Sequence, residues 1–240
     1  AALTNAGKIV TKNLTKMKVV ICGSGAAGIA IANLLLAVGI QRLILCDTHG
    51  AIYKYRTYGM NWAKSEIAKR TNALMETGSL EEVIKGADVF IGVSRNAILT
   101  TKMVQSMNSD PVVFALSTPE PEILPADARK AGARIIATSL SDTINEMNTA
   151  LVFPGVFRGI LDAFAREINT EMKIAAAKAL ASTVEKNKLE EGYILPAIFN
   201  FHVAPVIAGA VVKAAIETGA ARRSVKPEDI IRKTESFVYE

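Results

Sequence analysis

The chain has 240 residues, of which 50% are hydrophobic and 21% charged, and its formal net charge is +5. This composition supports a packed core and excludes a disordered or low-complexity protein. Two cysteines cannot build a disulfide framework, no uncharged stretch is long enough to span a membrane, and the basic residues are spread along the chain. We therefore expect a cytoplasmic protein without membrane or nucleic-acid partners.

Predicted strands and helices alternate along the first part of the chain. Residues 1–10 have a helical pattern, and because the chain opens inside it without an initiator methionine, we expect a fragment of a longer protein. Strand patterns follow at 18–22, 42–46, 88–91, 112–116 and 134–138, with helical patterns at 26–38, 64–70, 80–85, 101–107 and 126–131. Continuous apolar strands separated by helices predict an α/β, Rossmann-like fold with a doubly wound parallel sheet.

The last part of the chain is predicted to be all helix. Asn169 is a typical N-cap before an alanine-rich helix at 173–184, a second helix covers 206–218, and a third starts near Pro227. We therefore predict a dinucleotide-binding domain with a leading helix over residues 1–168. Residues 169–240 are predicted to be a C-terminal helical extension packed on the same domain.

A glycine-rich loop follows the first predicted strand and opens the next helix. Its residues are Gly23, Ser24, Gly25, Ala26, Ala27 and Gly28, which match the pattern G-x-G-x-x-G. In a βαβ unit, the first glycine allows the tight turn, the second lets the backbone approach a pyrophosphate, and the third lets the helix pack on the strand. The helix N-terminus then offers free N–H groups to the phosphates. A glycine turn that serves only helix–strand packing is the alternative.

Asp47 strengthens the nucleotide interpretation. It stands 19 residues after Gly28, at the end of the second strand, where a carboxylate can accept hydrogen bonds from the adenosine ribose. Because the same charge repels a 2′-phosphate, Asp47 predicts a preference for NAD over NADP. The alternative is an aspartate that only forms the turn before Gly50.

Two later loops are predicted to border the same cofactor. Val93 and Ser94 follow the strand at 88–91, and Thr118 follows the strand at 112–116. Ligands of doubly wound sheets bind beyond the carboxyl ends of the strands, so we expect these three residues to line the cofactor. For the loop that contains Thr118, an ordinary strand-ending turn is the alternative.

Several runs of the sequence resemble bacterial-type malic enzymes. Residues 19–30 are similar to the cofactor loop of that family, and 46–52, 86–94 and 114–116 also match. The most specific run is Phe153-Pro154-Gly155-Val156-Phe157-Arg158-Gly159, which is followed by a further similar run at 167–181. The resemblance covers the chain from Ala1 to about Arg222, and it implies the C-terminal, NAD-binding domain of an NAD-dependent, decarboxylating malate oxidoreductase.

The resemblance also implies a reaction and its partners. Malate is oxidised at C2 by NAD and loses carbon dioxide to give pyruvate, and a divalent Mg or Mn ion stabilises the enolate. In the family, the catalytic Lys and Tyr and the metal carboxylates belong to an N-terminal side of the enzyme, so we expect no catalytic residue and no metal ligand in this chain. The implied partners are a small dicarboxylate substrate, that N-terminal domain, and a second copy of the chain in a homodimer.

Three positions depart from the family pattern on the substrate side. Thr118 stands where the family has Asn, Leu140 where it has Arg, and Thr149 replaces the second of two paired Asn residues, after Asn148. Threonine lacks the two-sided hydrogen bonding of an amide. We take Thr118, Asn148 and Thr149 as candidate substrate-binding residues and expect Asp142 near them. The departures leave two alternatives open: altered 2-hydroxy-acid chemistry, such as malate-to-lactate conversion, and a non-catalytic nucleotide-binding module.

Overall fold

The structure is a computed structural model that describes residues 1–141 and 143–239. Its contacts divide the chain into two compact units. Ala6–Met147 form one, called here the sheet unit, and Ala1–Asn5 with Asn148–Glu240 form the other, called the helical unit. The domain boundary predicted between residues 168 and 169 stays a prediction.

The sheet unit contains the predicted parallel sheet. Its strands are β1 (Lys18–Cys22), β2 (Arg42–Asp47), β3 (Gly50–Ala51), β4 (Val89–Gly92), β5 (Val112–Ala115) and β6 (Ile135–Thr138), in the spatial order β3-β2-β1-β4-β5-β6. All neighbouring pairs are parallel except β2 and β3. The strand order reverses between β1 and β4, which confirms the predicted doubly wound, Rossmann-like arrangement.

Helices connect these strands close to the predicted positions. They are α2 (Ala26–Ala37), α3 (Trp62–Ala68), α4 (Leu80–Val83), α5 (Thr101–Gln105) and α6 (Pro125–Lys130), and helix α1 (Ala2–Ile9) precedes β1. Side chains fix several helix starts: Asn61 accepts the Lys64 N–H, and Ser79 and Glu82 form a capping box. These caps satisfy N–H groups that a helix leaves unpaired.

The core explains why the strand sequences are continuous apolar runs. Every residue of β1, β4, β5 and β6 is buried, because helices cover both faces of the sheet. On one face, Phe90, Val113 and Ile136 belong to one contiguous apolar cluster.

Strand β3 was not predicted. The chain turns back after Asp47 and pairs Asp47 with Gly50 and Cys46 with Ala51, antiparallel to β2. Gly50 has φ of +94°, and a Cβ there would lie 2.1 Å from the carbonyl oxygen of Gly78, so glycine is needed at this turn. Two residues are too short to show a strand periodicity, and this explains the miss.

The helical unit consists of α7 (Phe153–Asp162), α8 (Thr170–Ser182), α9 (Val203–Glu217) and α10 (Pro227–Tyr239). The other three helices all pack against α9, whose sequence is apolar on most sides. The expectation that the tail is all helix is wrong for residues 183–202, which form turns. Helix α7 was missed, because it contains Gly155 and Gly159, and glycine has a poor helix propensity.

Close contact between α7 and α9 depends on two glycines. A Cβ on Gly155 would lie 2.7 Å from the Ala204 carbonyl oxygen, and one on Gly159 would lie 2.8 Å from the Ala208 carbonyl oxygen. The two glycines therefore let one helix rest on the backbone of the other. None of the helices within residues 1–141 and 143–239 has both the length and the hydropathy needed to cross a bilayer.

Candidate functional site

The glycine loop between β1 and α2 has the conformation that its sequence predicts. Gly23 has φ of +115°, and a Cβ there would lie 2.5 Å from the carbonyl oxygen of Val93. A Cβ on Gly28 would lie 1.8 Å from the Gly23 carbonyl oxygen. The first and last glycines of the pattern are thus required by the tight turn and by the packing of α2 on β1.

Gly25 is glycine for a different reason. Its φ is −79°, which any residue adopts, and no atom beyond its immediate neighbours in the chain lies within 4 Å of the place where its Cβ would be. Gly25, Ala26 and Ala27 are exposed, whereas Ser24 is buried. The fold therefore does not need a glycine here, and the open space lies where a pyrophosphate would approach.

The N-terminus of α2 faces this space. Gly25 is the N-cap residue and has no side chain to cap the helix, so the first N–H groups of α2 have no intrahelical partner. The helix dipole adds a partial positive charge at the same place. An exposed, uncapped N-terminus beside an open space fits the phosphates of a dinucleotide.

Asp47 lies at the carboxyl end of β2 with a side chain that is only 7% exposed. Its carboxylate accepts hydrogen bonds from the Arg56 guanidinium, from Lys64 Nζ at 2.7 Å and from the His49 backbone N–H at 2.8 Å. The Arg56 side chain is fully buried, and its Nη1 also donates to the Ala51 carbonyl oxygen at 2.9 Å. Asp47 therefore forms the turn before Gly50. Its carboxylate is also held at the position where the nucleotide interpretation requires a ribose acceptor.

Burial alone would raise the pKa of Asp47, but the hydrogen bonds from Arg56, Lys64 and His49 lower it to about 2. The group is thus a carboxylate at neutral pH. Three donors occupy three of its roughly four acceptor directions, which leaves one for a ribose hydroxyl. Two cations offset its charge, so its repulsion of a 2′-phosphate is weaker than the sequence alone predicts, and the preference for NAD over NADP stays a prediction.

The structure brings Val93, Ser94 and Thr118 to the same edge of the sheet as the glycine loop. The Val93 N–H donates to the Cys22 carbonyl oxygen at 2.9 Å, one residue before Gly23. Ser94 and Thr118 are exposed at the ends of β4 and β5. The Thr118–Pro119 peptide bond is cis.

Sequence reasoning missed Glu122, which is completely buried at this edge. Its Oε1 accepts the Ser94 N–H at 3.1 Å, and its Oε2 accepts the Ser117 N–H at 3.1 Å. The Ser117 hydroxyl also donates to Oε1. A glutamate whose donors come from its own loop and from the loop after β4 has no spacing signal that could have revealed it.

The remaining substrate candidates lie elsewhere in the chain. Asn148 and Thr149 belong to the helical unit, where the Asn148 side chain accepts the Ala150 N–H at 2.9 Å and starts a short 3₁₀ helix over Thr149–Leu151. Thr149 is exposed. Asp142 lies outside the described residues, so its predicted place beside the substrate stays a prediction.

The part of the chain that the structure describes contains no group of three His, Cys, Asp or Glu side chains that could hold a metal ion. These residues therefore do not by themselves form a site for the divalent metal of malic enzymes.

Comparison with known proteins decides the family. Residues 1–216 match the family described as "Malic enzyme, NAD binding domain". The chain belongs to this family. The resemblance drawn from the glycine loop and the Phe-Pro-Gly run is thereby confirmed.

Individual relatives agree with the family match. The chain is 52% identical to the bifunctional malic/malolactic enzyme of Bacillus subtilis, covering 98% of this chain and 57% of the relative. It is 50% identical to the NAD-dependent malic enzyme of Geobacillus stearothermophilus, covering 95% and 47%. The crystal structure of the malic enzyme from Pyrococcus horikoshii superposes with a TM-score of 0.91 at 35% identity, covering 99% and 57%. The chain thus spans about half the length of these relatives.

Proposed function

We propose that this chain is the cofactor-binding part of an enzyme that oxidises malate with NAD and decarboxylates the product to pyruvate. The observation that carries the proposal is the uncapped N-terminus of α2 at Gly25 beside open space, on the same sheet edge as the anchored carboxylate of Asp47. NAD supplies the hydride acceptor when bound, and the chain's own residues bind and orient it.

Each end of the dinucleotide has a separate set of residues in this proposal. The first N–H groups of α2 bind the pyrophosphate, and the free acceptor direction of Asp47 takes a hydroxyl of the adenosine ribose. Val93, Ser94 and Thr118 line the nicotinamide side, beyond β4 and β5. The residues proposed to contact the substrate are Thr118, Asn148 and Thr149.

Titration of the 240-residue chain with NAD and with NADP tests the proposal by calorimetry. We expect the chain to bind a dinucleotide. We expect NAD to bind more tightly than NADP, because Asp47 is a carboxylate at neutral pH. NADP binding that is equal or tighter would contradict the role of Asp47 in cofactor choice.

We expect no measurable malate oxidation by this chain alone. Positioning of the substrate against catalytic groups and stabilisation of charge by a metal together contribute about a million-fold to such a reaction or more. The family resemblance assigns the catalytic Lys and Tyr and the metal carboxylates to residues outside this chain. The assay follows NADH absorbance with malate, NAD and excess Mg²⁺ or Mn²⁺. Robust turnover would mean that residues such as Asn148 or Arg158 are catalytic.

Malate-to-lactate conversion is the second candidate. It is favoured by the name of the Bacillus subtilis relative, a bifunctional malic/malolactic enzyme, and by Thr118 and Thr149 at the substrate positions. In a protein that contains this chain and an N-terminal malic enzyme domain, lactate formed without net NADH would support it. Pyruvate and NADH in equal amounts would support the first candidate.

We further propose a cytoplasmic homodimer. Phe153, Phe157 and Leu161 lie four residues apart along α7 and are 55%, 51% and 68% exposed, so they form an apolar stripe that a partner would cover. Helices α8 and α9 pack on each other. Sedimentation of the wild type and of Leu161→Glu tests the dimer.

Cys22 and Cys46 are both free and buried, in keeping with a reducing compartment.

A further inference from the structure

Glu122 is a fully buried carboxylate with no role in the function proposed above. A buried charge is costly unless hydrogen bonds compensate it, and here donors from two loops do so. The Ser94 N–H belongs to the loop after β4, and the Ser117 N–H and hydroxyl belong to the loop after β5. One side chain thus joins the two loops.

The backbone near Glu122 strengthens the same connection. The Leu99 N–H donates to the Glu122 carbonyl oxygen at 3.0 Å, and the Ala97 N–H donates to the Pro121 carbonyl oxygen at 3.2 Å. The loop after β4 is therefore tied to the segment around Glu122 at both of its ends, by Ser94 and by Leu99.

Gly92, the last residue of β4, leaves the space that the carboxylate fills. A Cβ on Gly92 would lie 2.2 Å from the Glu122 carboxyl carbon and within 2.6 Å of both carboxylate oxygens. The glycine and the glutamate are therefore complementary, and any larger residue at position 92 displaces the carboxylate from its donors.

The two loops lie on one side of the point where the strand order reverses. Asp47 ends β2, on the other side of β1. A dinucleotide crosses such a sheet at the reversal, with its adenosine half beside β2 and its nicotinamide half beyond the strands on the opposite side. Ser94 is exposed in the first of these loops, and Thr118, which is adjacent to Ser117, is exposed in the second.

We propose that Glu122 is a positioning residue for the nicotinamide half of the cofactor. It does not touch NAD; it fixes Ser94 and the Ser117–Thr118 backbone, and these line the nicotinamide pocket. The inference rests on the proposed NAD-binding function, and it adds a specific consequence: loss of the carboxylate impairs one half of the dinucleotide and spares the other.

The test compares two ligands on the same variants. NADH occupies both halves of the site, whereas ADP-ribose lacks the nicotinamide. Glu122→Gln keeps the size of the side chain but presents an NH₂ group to donors that need an acceptor, so we expect NADH to bind about 10-fold more weakly. ADP-ribose affinity is expected to change by less than about two-fold. Titrations follow NADH fluorescence and, for ADP-ribose, calorimetry.

Asp110→Asn is the matched control, because it also removes a carboxylate. Asp110 lies just before β5, at the end of that strand opposite to Ser117, and it pairs with Arg134 at 2.9 Å. This control should leave both affinities unchanged. Ser117→Ala is the second variant, for the case that Glu122→Gln does not fold. It deletes one donor and keeps the carboxylate, so it should weaken NADH binding selectively and by a smaller factor.

Equal loss of NADH and ADP-ribose binding in these variants would show a general structural role and overturn the inference, as would unchanged NADH binding. A wild-type chain that binds neither ligand would overturn the proposed function itself. A wild type that binds both, with variants that discriminate between them, would support both proposals.

Discussion

Gly25 of the sheet unit and Gly159 of the helical unit look alike in sequence but are there for opposite reasons. At Gly25, no atom beyond the immediate chain neighbours lies within 4 Å of the place of a Cβ, whereas at Gly159 that place lies 2.8 Å from the backbone oxygen of Ala208. The first glycine keeps space open and the second lets two helices come into contact. A glycine pattern therefore indicates close approach, and only the structure shows whether a ligand or another part of the chain approaches.

This difference separates binding from stability. A side chain at Gly25 would fill space that the folded chain does not use, so it would affect the ligand alone. A side chain at Gly159 would push α7 away from α9, so it would affect folding alone. The two positions are matched controls for each other.

Gly159→Val should cause the largest effect, a loss of about 3 kcal/mol in the free energy of unfolding, because backbone atoms of α9 cannot move aside cheaply. Urea unfolding at neutral pH measures it. NADH affinity below the transition should stay within about two-fold of the wild type. An unchanged unfolding midpoint would mean that α7 and α9 do not need this close contact.

Gly25→Asn should weaken NADH binding by about 100-fold, equivalent to about 2.7 kcal/mol. The asparagine fills the open space and its side-chain oxygen caps the N–H groups that would otherwise bind phosphate. Asparagine is also a preferred N-cap, so the unfolding midpoint should be equal to that of the wild type or higher. Retained NADH affinity in this variant would contradict the assignment of the pyrophosphate to α2.

The contrast also explains which features the sequence could predict. The strands, the Asn169 cap and the glycine loop depend on local patterns, and the structure agrees with the predictions there to within a few residues. Helix α7 depends on Gly155 and Gly159 meeting α9, some 50 residues later in the chain. Local propensity opposes that helix, and only tertiary packing stabilises it.

The same limit applies to the site. Asp47 was predicted because a carboxylate at the end of the second strand is a sequence pattern. Its partners Arg56 and Lys64 were not, since they come from a loop and a helix whose path depends on the turn at Gly50. Glu122 escaped for the same reason: its bonds join loops that only the sheet brings together.

Asp47→Asn should weaken NADH binding by about 10-fold, because a ribose hydroxyl then donates to a neutral amide oxygen instead of a carboxylate. NADP affinity should fall less, since Arg56 and Lys64 remain without the opposing charge. The ratio of the two affinities, measured by calorimetry, should therefore move toward NADP. A constant ratio would show that Asp47 does not contribute to the choice between the two cofactors.

The smallest effect expected is on acid stability, and it also comes from Asp47. The pKa of this carboxyl is about 2 in the folded chain and about 3.9 when unfolded. A lowered folded pKa stabilises the fold at pH values above the unfolded pKa, and this contribution is lost as the pH falls from about 4 to about 2. Partial solvent screening reduces it to about 1 kcal/mol. The pKa of other carboxyls, such as Asp88, is also lowered, so the informative quantity is a difference. The gap in unfolding free energy between the wild type and Asp47→Asn should shrink by that amount from pH 6 to pH 2. A constant gap would mean that the ion pairs with Arg56 and Lys64 do not stabilise the fold.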